Sequence, residues 1–242
     1  MAREEPATET RFAVTRRNRV ARRPKRGIYD KKAVYEILDS AIVCHLAYVI
    51  DGQPYCTPNG FWREGHHVYW HGSAASRMIK AQAEGIPVCL TVTHLDALNL
   101  ARCGFNHAVN YRCAMVFGQA VKVENDAKLE LMDRFIDRFY PGRSRILRPA
   151  TNKEIKSTTI LAMPIDQASA KIRAVDFGDN EEDYAVPAWT ALIPIKTVMG
   201  EMVECPRQLP GVKRPKGMQA YRPGRKLDDV VAETYRETFG SS

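Results

Sequence analysis

The chain has 242 residues, of which 45% are hydrophobic and 26% are charged, and its formal net charge at pH 7 is +8. This length allows one large domain, or two small ones, with a sizeable core. The composition excludes collagen-like, coiled-coil and wholly disordered chains. No apolar run approaches the roughly 20 residues that a membrane-spanning helix needs.

The positive charge is concentrated at the two ends of the chain. Residues 1–26 carry 9 basic and 3 acidic side chains, and residues 207–226 carry 7 basic and none acidic. The intervening residues 27–206 have a net charge of −2. A nucleic-acid-binding domain would carry its own basic face, so we predict no nucleic-acid partner for this part. A basic arm in residues 1–26 that binds nucleic acid is the alternative to a solvated tail.

The six cysteines predict neither disulfides nor a metal site. None forms a CxxC pair, and no spacing of cysteine and histidine resembles a zinc site. Cys44 and Cys89 lie in apolar runs, where a thiol acts as a small hydrophobic side chain. Arg16-Arg17 has no apolar segment behind it, so a secretory signal is not predicted. We therefore expect a reduced, cytoplasmic protein that does not enter a membrane.

Hydrophobic patterns and turn signals predict a mainly antiparallel β protein with inserted helices. A short helix capped by Asp30 comes first, and a three-stranded meander over residues 41–71 follows, with turns at Asp51-Gly52 and Glu64-Gly65. Six or seven short strands favour a small β-barrel decorated by helices. The later elements are a helix over 74–84, strands over 86–94 and 111–123, a helix over 129–139, and strands over 158–163, 170–175 and 189–195.

The same features divide the chain into three parts. Residues 1–26 are predicted to be a basic disordered tail, and residues 27–206 a single barrel domain. Residues 207–242 are rich in Pro, Gly and basic side chains, which is typical of an extension that is poorly ordered or draped over a partner.

The segment His71–Met78 carries the clearest chemical signal. A strand ends at Gly72, and a helix begins with Ser73 and Ser76 in its first turn and Arg77 just inside it. Free backbone N–H groups, two hydroxyls and a guanidinium would then converge on one point, which suits a phosphate. The alternative is an ordinary capped helix with a solvated arginine.

Arg112 and His71 each have two interpretations, and His45 has one. Arg112, at the start of an apolar strand, is either an edge-strand arginine or a second contact to an anion. His71 could serve as acid, base or substrate anchor, or could pack at the end of its strand. His45 lies in a strand among apolar residues, so we predict a core histidine.

These motifs resemble those of a known family. Residues 27–195 resemble the pyridoxamine 5′-phosphate oxidase-like superfamily of FMN-binding split barrels, and they look most similar to its branch of nitroimidazole-reductase (Nim)-like and flavin-nucleotide-binding proteins. The resemblance is carried by Ile37-Leu38-Asp39, Cys44-His45, Gly52-Gln53-Pro54, Tyr69–Met78, Asn110-Tyr111-Arg112 with Gly118, Pro141-Gly142-Arg143 and Pro187-Ala188-Trp189.

The resemblance implies a six-stranded antiparallel Greek-key split β-barrel that forms a homodimer, with FMN in a groove at the interface. The two arginines and two serines named above would hold the phosphate, residues 57–59 would border the isoalloxazine ring, and Trp189 would approach from the other subunit. The implied cofactor-binding residues are Thr57, Pro58, Asn59, His71, Gly72, Ser73, Ser76, Arg77, Met78, Tyr111, Arg112 and Trp189.

The function predicted on this basis is an FMN-dependent oxidoreductase acting on a small organic substrate, with His71 as the candidate catalytic residue. The flavin would carry the chemistry. The alternative is a flavin- or haem-binding protein without dedicated turnover, because some split barrels bind haem. True pyridoxamine-phosphate oxidases have an Arg-Leu-His signature near the C terminus. Residues 207–242 contain no histidine, so synthesis of vitamin B6 is not predicted.

Overall fold

The structure is a computed structural model in which residues 10–240 are described. This part of the chain forms ten β-strands and five α-helices, which confirms the mainly β fold with inserted helices. The helices are α1 (Lys31–Asp39), α2 (Arg77–Ala83), α3 (Asn125–Phe139), α4 (Asn152–Ser157) and α5 (Leu227–Phe239). The strands are β1 (Gly27–Ile28), β2 (Val43–Ile50), β3 (Gln53–Glu64), β4 (His67–Ser73), β5 (Pro87–Leu100), β6 (Ala108–Gln119), β7 (Val121–Lys122), β8 (Thr158–Pro164), β9 (Gln167–Arg173) and β10 (Ala191–Pro194).

All strand pairs are antiparallel, in the order β1-β9-β6-β5-β2-β3-β4-β8-β7, and β10 pairs with the far end of β5. The predicted meander is present as β2, β3 and β4. Strand β5 is longer than predicted and runs to Leu100, with a register shift against β6 between Leu95 and Ala97. Such a bulge bends a strand and redirects the side chain beside it, and the residue at this bulge is Asp96.

Strand β3 is shared between two halves of the sheet. Its residues 53–60 pair with β2, and its residues 61–64 pair with β4. After Trp70, strand β4 leaves β3 and continues to pair with β8 alone. Within residues 10–240, the edge of β3 over 53–60 that faces away from β2 therefore has no strand partner. We call the opening between this edge and residues 71–77 the split.

The core follows the alternation that a half-buried strand requires. On β2, Cys44 and Leu46 are fully buried, whereas His45 between them is exposed. The prediction of a core histidine at position 45 is thus wrong, because the two neighbouring side chains take the inner face. Helix α1 covers one end of the barrel, and the Asp30 side chain caps it by accepting a hydrogen bond from the backbone N–H of Ala33.

The N-terminal segment differs from the disordered tail predicted for residues 1–26, of which residues 1–9 lie outside the described part. Phe12 is buried, and its N–H donates to the backbone C=O of Tyr29 at 2.8 Å. The side chain of Asn18 is only 2% exposed and donates to the backbone C=O groups of Ala13 and Ala168. Tyr29 and Ala168 lie outside residues 1–26, so the composition of the tail alone does not reveal these contacts.

The C-terminal segment also differs from the poorly ordered or partner-draped extension predicted for residues 207–242. Helix α5 buries Val230, Val231 and Tyr235 and packs against α3 and α1. The buried side chain of Arg138 on α3 donates to the backbone C=O of Val231 at 2.7 Å. Leu227 with these three α5 residues forms a helical apolar pattern, which is the sequence signal that could have found α5. Within residues 10–240, none of the helices combines the length and apolarity that a membrane crossing needs.

Candidate functional site

The split has two banks, and the structure places most of the predicted site residues on them. Thr57, Pro58 and Asn59 lie on the unpaired part of β3, and residues 71–78 form the opposite bank at the end of β4 and the start of α2. The Asn59 side chain donates from Nδ2 to the backbone C=O of His71 at 3.1 Å, which links the banks. The split thus brings residues of β3 close to residues at the end of β4 and the start of α2.

Arg77 is the cation of this site. Its guanidinium lies 4.6 Å from the centre of the Tyr55 ring on the β3 bank. Among residues 10–240, no carboxylate lies within ion-pair distance of it. Ser76 is the N-cap residue of α2, but its side chain makes no capping hydrogen bond. The hydroxyl of Ser73 accepts a hydrogen bond from the N–H of Ala75 at 3.2 Å. An uncommitted guanidinium beside two hydroxyls is a donor set that fits a phosphate.

The backbone of β3 offers a second type of contact. Alternate residues of an unpaired strand edge direct their N–H and C=O groups away from the sheet. At Gly60 an added Cβ would meet no atom within 4 Å, so the space over that face of the strand is open. A flat heterocycle with donors and acceptors along its edge, such as a flavin ring, fits these groups.

Gly72 has a different role, which is to let α2 pack against β4. A Cβ at this position would lie 2.8 Å from Cγ1 of Ile79, closer than real side chains approach. Ile79 is buried in the barrel core and Met78 packs against that core. The packing of Ile79 and Met78 therefore sets the position of Arg77 at the start of α2. This role does not require either residue to touch a ligand.

Arg112 is paired with two carboxylates. It donates to Asp96 at 2.8 Å and to Asp228 on α5 at 3.0 Å. The hydrogen bond to Asp96 is the main reason that the pKa of Arg112 is raised. These groups, together with His94, line a cavity of about 640 Å³ between β5, β10 and the start of α5.

The clamp of Arg77 and Arg112 on one phosphate is not formed within one chain. Arg112 faces His94 on β5, whereas Tyr55 shares its row of the sheet with Tyr48 and Val88. His94 and Val88 are six residues apart on β5, which is about 20 Å of extended strand. The reason is their place in the fold: Arg77 begins α2 beside Tyr55, whereas Arg112 lies on β6 opposite His94.

The other predicted site residues lie outside the two banks or face away from them. Tyr111 lies opposite Leu95 on β5, and Trp189 is 76% exposed in the loop before β10. The ring of His71 packs 4.8 Å from the ring of Phe135 on α3, and its Nδ1 is buried without a hydrogen-bond partner in the described part of the chain. Burial lowers the pKa of His71 below its usual 6.5. These contacts favour a packing role for His71, and acid–base catalysis by it stays a prediction.

Tyr55 is a site residue that sequence reasoning missed. Its ring stacks on that of Tyr48 with 5.5 Å between centres, and the Tyr48 hydroxyl hydrogen-bonds to Oγ1 of Thr57 at 3.0 Å. The available signal was its position two residues before Thr57, on the same face of the strand.

Comparison with protein families gives the class to which this fold and site belong. Residues 30–172 match the family described as pyridoxamine 5′-phosphate oxidase, and the chain belongs to this family. The resemblance found in the sequence is thereby confirmed. A comparison with curated protein sequences finds no significant match.

Solved structures give more particular similarities. Flavocytochrome Anf3 from Azotobacter vinelandii is 38% identical, with a TM-score of 0.83 over 88% of this chain and 100% of that one. The FAD and haem binding protein from Mycobacterium smegmatis is 33% identical, with a TM-score of 0.78 over 84% of this chain and 98% of that one. A putative 5-nitroimidazole antibiotic resistance protein from Bacteroides thetaiotaomicron VPI-5482 is 19% identical, with a TM-score of 0.48 over 60% of this chain and 86% of that one.

Proposed function

We propose that this chain is a flavoprotein that binds its flavin in the split and acts as an oxidoreductase on a small organic substrate. The observation that carries the proposal is the uncommitted guanidinium of Arg77 across the split from the open edge of β3. The similarity to flavocytochrome Anf3 and to the M. smegmatis protein supports it. When bound, a flavin supplies hydride and electron transfer.

The roles of the chain follow from the two banks. Arg77, Ser73 and Ser76 bind the phosphate that FMN carries and that FAD also contains. The backbone of Thr57–Asn59 binds and orients the ring edge, and the open space beside Gly60 admits the ring plane. We propose a cytoplasmic location as well, because all six cysteines are free thiols.

We further propose a homodimer in which Trp189 of one subunit covers the flavin of the other. Trp189 is 76% exposed, and Val43, Val49 and Leu95 are exposed large apolar side chains on one outer face of the sheet. Large apolar side chains exposed on one face of a sheet are typical of an interface. Sedimentation at micromolar concentration should give a dimer, and Trp189→Ala should weaken flavin binding without unfolding the chain. A monomer that binds flavin fully would contradict the shared site.

Haem binding is a second candidate, favoured by one residue as well as by the similar structures. His45 is exposed on the outer face of β2, and its side chain makes no hydrogen bond to another side chain or backbone group among residues 10–240. Its neighbours on that face, Val43 and Ala47, are apolar, so the imidazole could serve as an axial ligand to haem iron. A Soret band that is lost in His45→Ala but kept in His67→Ala, another exposed histidine, would establish this candidate.

The primary test is the visible spectrum of the purified protein, followed by identification of the released chromophore. A flavin spectrum, together with reduction of the bound flavin by a nicotinamide or a chemical donor, supports the proposal. A protein that neither retains nor rebinds any flavin would refute it.

A further inference from the structure

We propose that the cavity between β5, β10 and the start of α5 is a second small-molecule site, which binds a hydroxy acid: an organic anion with an apolar body and a hydroxyl beside its carboxylate. We call it the mouth cavity. Its volume of about 640 Å³ lies within the roughly 300–1,000 Å³ of small-molecule pockets. The proposal does not depend on the binding of flavin in the split.

The mouth cavity continues the interior of the barrel at one end. Val92 on β5 pairs with Ala114 on β6, and both side chains belong to the core. Because side chains alternate along a strand, the next pair on the same face is His94 with Arg112, and these two line the cavity. Polar groups thus take over from the core where the barrel opens, and the mouth of a barrel is a common place for a ligand pocket.

His94 presents a hydrogen-bond acceptor to this cavity. Its Nε2 lies 3.3 Å from the backbone C=O of Ile37 and 3.1 Å from Oγ of Ser40. A carbonyl oxygen only accepts, so Nε2 carries the hydrogen and Nδ1 carries the lone pair. Nδ1 has no hydrogen-bond partner among residues 10–240 and is not buried there. Burial and the Arg112 cation lower the pKa of His94, which keeps the ring neutral at pH 7. A ligand that fits must therefore offer a donor, such as a hydroxyl.

The mouth cavity also has an excess of positive charge. Its lining includes three cations and two carboxylates, which are Arg112, Lys196, Lys226, Asp96 and Asp228. Both carboxylates accept from Nε or Nη2 of Arg112, so its Nη1 has no partner in the described part of the chain. The two lysines are exposed and form no ion pair within residues 10–240. These donors suit the carboxylate of an anionic ligand.

Apolar side chains supply the remaining wall. They come from the segment before β2, the end of β10 and the start of α5, and they are Ala41, Ile42, Pro194, Ile195 and Leu227. An inorganic anion would leave this wall in contact with water, whereas a hydrocarbon body would cover it and gain the free energy of apolar burial. The cations, the acceptor on His94 and the apolar wall together define a hydroxy acid with a hydrocarbon body.

The test is a calorimetric titration of the purified protein, as isolated, with mandelate and with phenylacetate. Both anions have a phenyl ring and a carboxylate, but only mandelate has a hydroxyl beside the carboxylate. The wild-type chain should bind mandelate about fivefold more tightly, as expected for one additional hydrogen bond. In nitrogen NMR spectra, the resonance of His94 Nδ1 should move on addition of mandelate and stay in place with phenylacetate.

Two variants separate the hydroxyl from the carboxylate. His94→Gln keeps a donor at the position of Nε2 and removes the acceptor at Nδ1, so the preference for mandelate should disappear while the affinity for phenylacetate stays the same. Lys196→Met should weaken both anions about equally, by about two- to fivefold. The matched controls are His67→Gln and Lys153→Met, which change an exposed histidine on β4 and an exposed lysine on α4. Both should bind like the wild type.

Three results would overturn the proposal. The first is that neither anion binds to the wild type, and the second is that the two bind equally tightly. The third is release of bound flavin on saturation with mandelate, which would place the anion in the flavin site instead. If His94→Gln lowers the melting temperature too far for titration, the wild-type ratio, the His94 resonance and Lys196→Met still decide the question.

Discussion

The guanidinium of Arg77, at the start of α2, is held 4.6 Å from the centre of the Tyr55 ring on β3. The contact spans the split, because these two elements form its opposite banks. A cation held on an aromatic face loses little side-chain freedom when an anion arrives. The site is therefore organised before any ligand binds.

Replacing Arg77 with Ala should weaken flavin binding by about 1.5–3 kcal/mol, the range for a hydrogen bond to a charged group. Arg77→Lys should recover only part of the loss, because lysine keeps the charge but not the planar fork. Arg19→Ala is the control and should leave the affinity unchanged. A titration in which Arg77→Ala matches the parent would remove Arg77 from the site.

The ion pair of Arg63 and Asp39 should be essential for stability. The two side chains are 3% and 7% exposed, and Nε of Arg63 donates to Oδ1 at 2.8 Å. Arg63→Met leaves a buried carboxylate without this partner, so the free energy of unfolding should fall by about 3–5 kcal/mol. Chemical denaturation measures the change.

The matched control for that variant is Arg148→Met. Arg148 also pairs with a carboxylate, that of Glu154, but the two side chains are 67% and 48% exposed. Solvent screens such a pair, so the loss of stability should be far smaller than that of Arg63→Met. Similar losses for the two variants would show that burial does not decide the strength of these pairs.

Arg112 should anchor α5 more than it binds flavin. Its bridge to Asp228 is partly exposed, so Arg112→Gln should cost only about 0.5–1 kcal/mol of stability. The amides of α5 should exchange with deuterium faster, and Asp228→Asn should reproduce this effect. Loss of flavin binding with normal exchange in α5 would instead support a phosphate contact by Arg112 of a partner subunit.

Stability should decrease as the pH falls below about 6.5. Burial lowers the pKa of His71, and burial together with the Arg112 cation lowers the pKa of His94. The unfolded chain therefore binds more protons than the folded chain from about pH 6.5 down to the folded pKa values. In His71→Gln, the free energy of unfolding should depend less on pH across this window. Denaturation at about pH 8, where imidazoles are neutral, separates the packing loss. An unchanged slope would contradict the assignment.

The meander could be predicted because its signals are local. The first turn is Asp51-Gly52 as predicted, and the second is Gly65-His66, one residue later than predicted because Glu64 ends β3. Both turns join strands that are adjacent in sequence. The split could not be predicted from local pattern. It exists because β4 leaves β3 after Trp70 and pairs with β8, a strand that follows much later in the chain.

The same distinction applies to the site. The donors on the α2 bank are contiguous in sequence, and the family resemblance supplied the β3 bank. The partner of Arg112 on α5 lies 116 residues away, and no spacing rule connects the two. His45 looked like a core residue because its neighbours are apolar, but only the register of β2 decides which face a side chain takes.

The late position of α5 has a consequence for synthesis on the ribosome. All ten strands precede this helix along the chain, so the sheet can pair before α5 leaves the exit tunnel. Until then Arg138 lacks the C=O of Val231, and Arg63 lacks the Tyr235 ring that lies 4.7 Å away. In a nascent chain that stalls before residue 227, the surface that α5 normally covers, with Arg138 and Arg63 in it, is therefore accessible to chaperones and proteases.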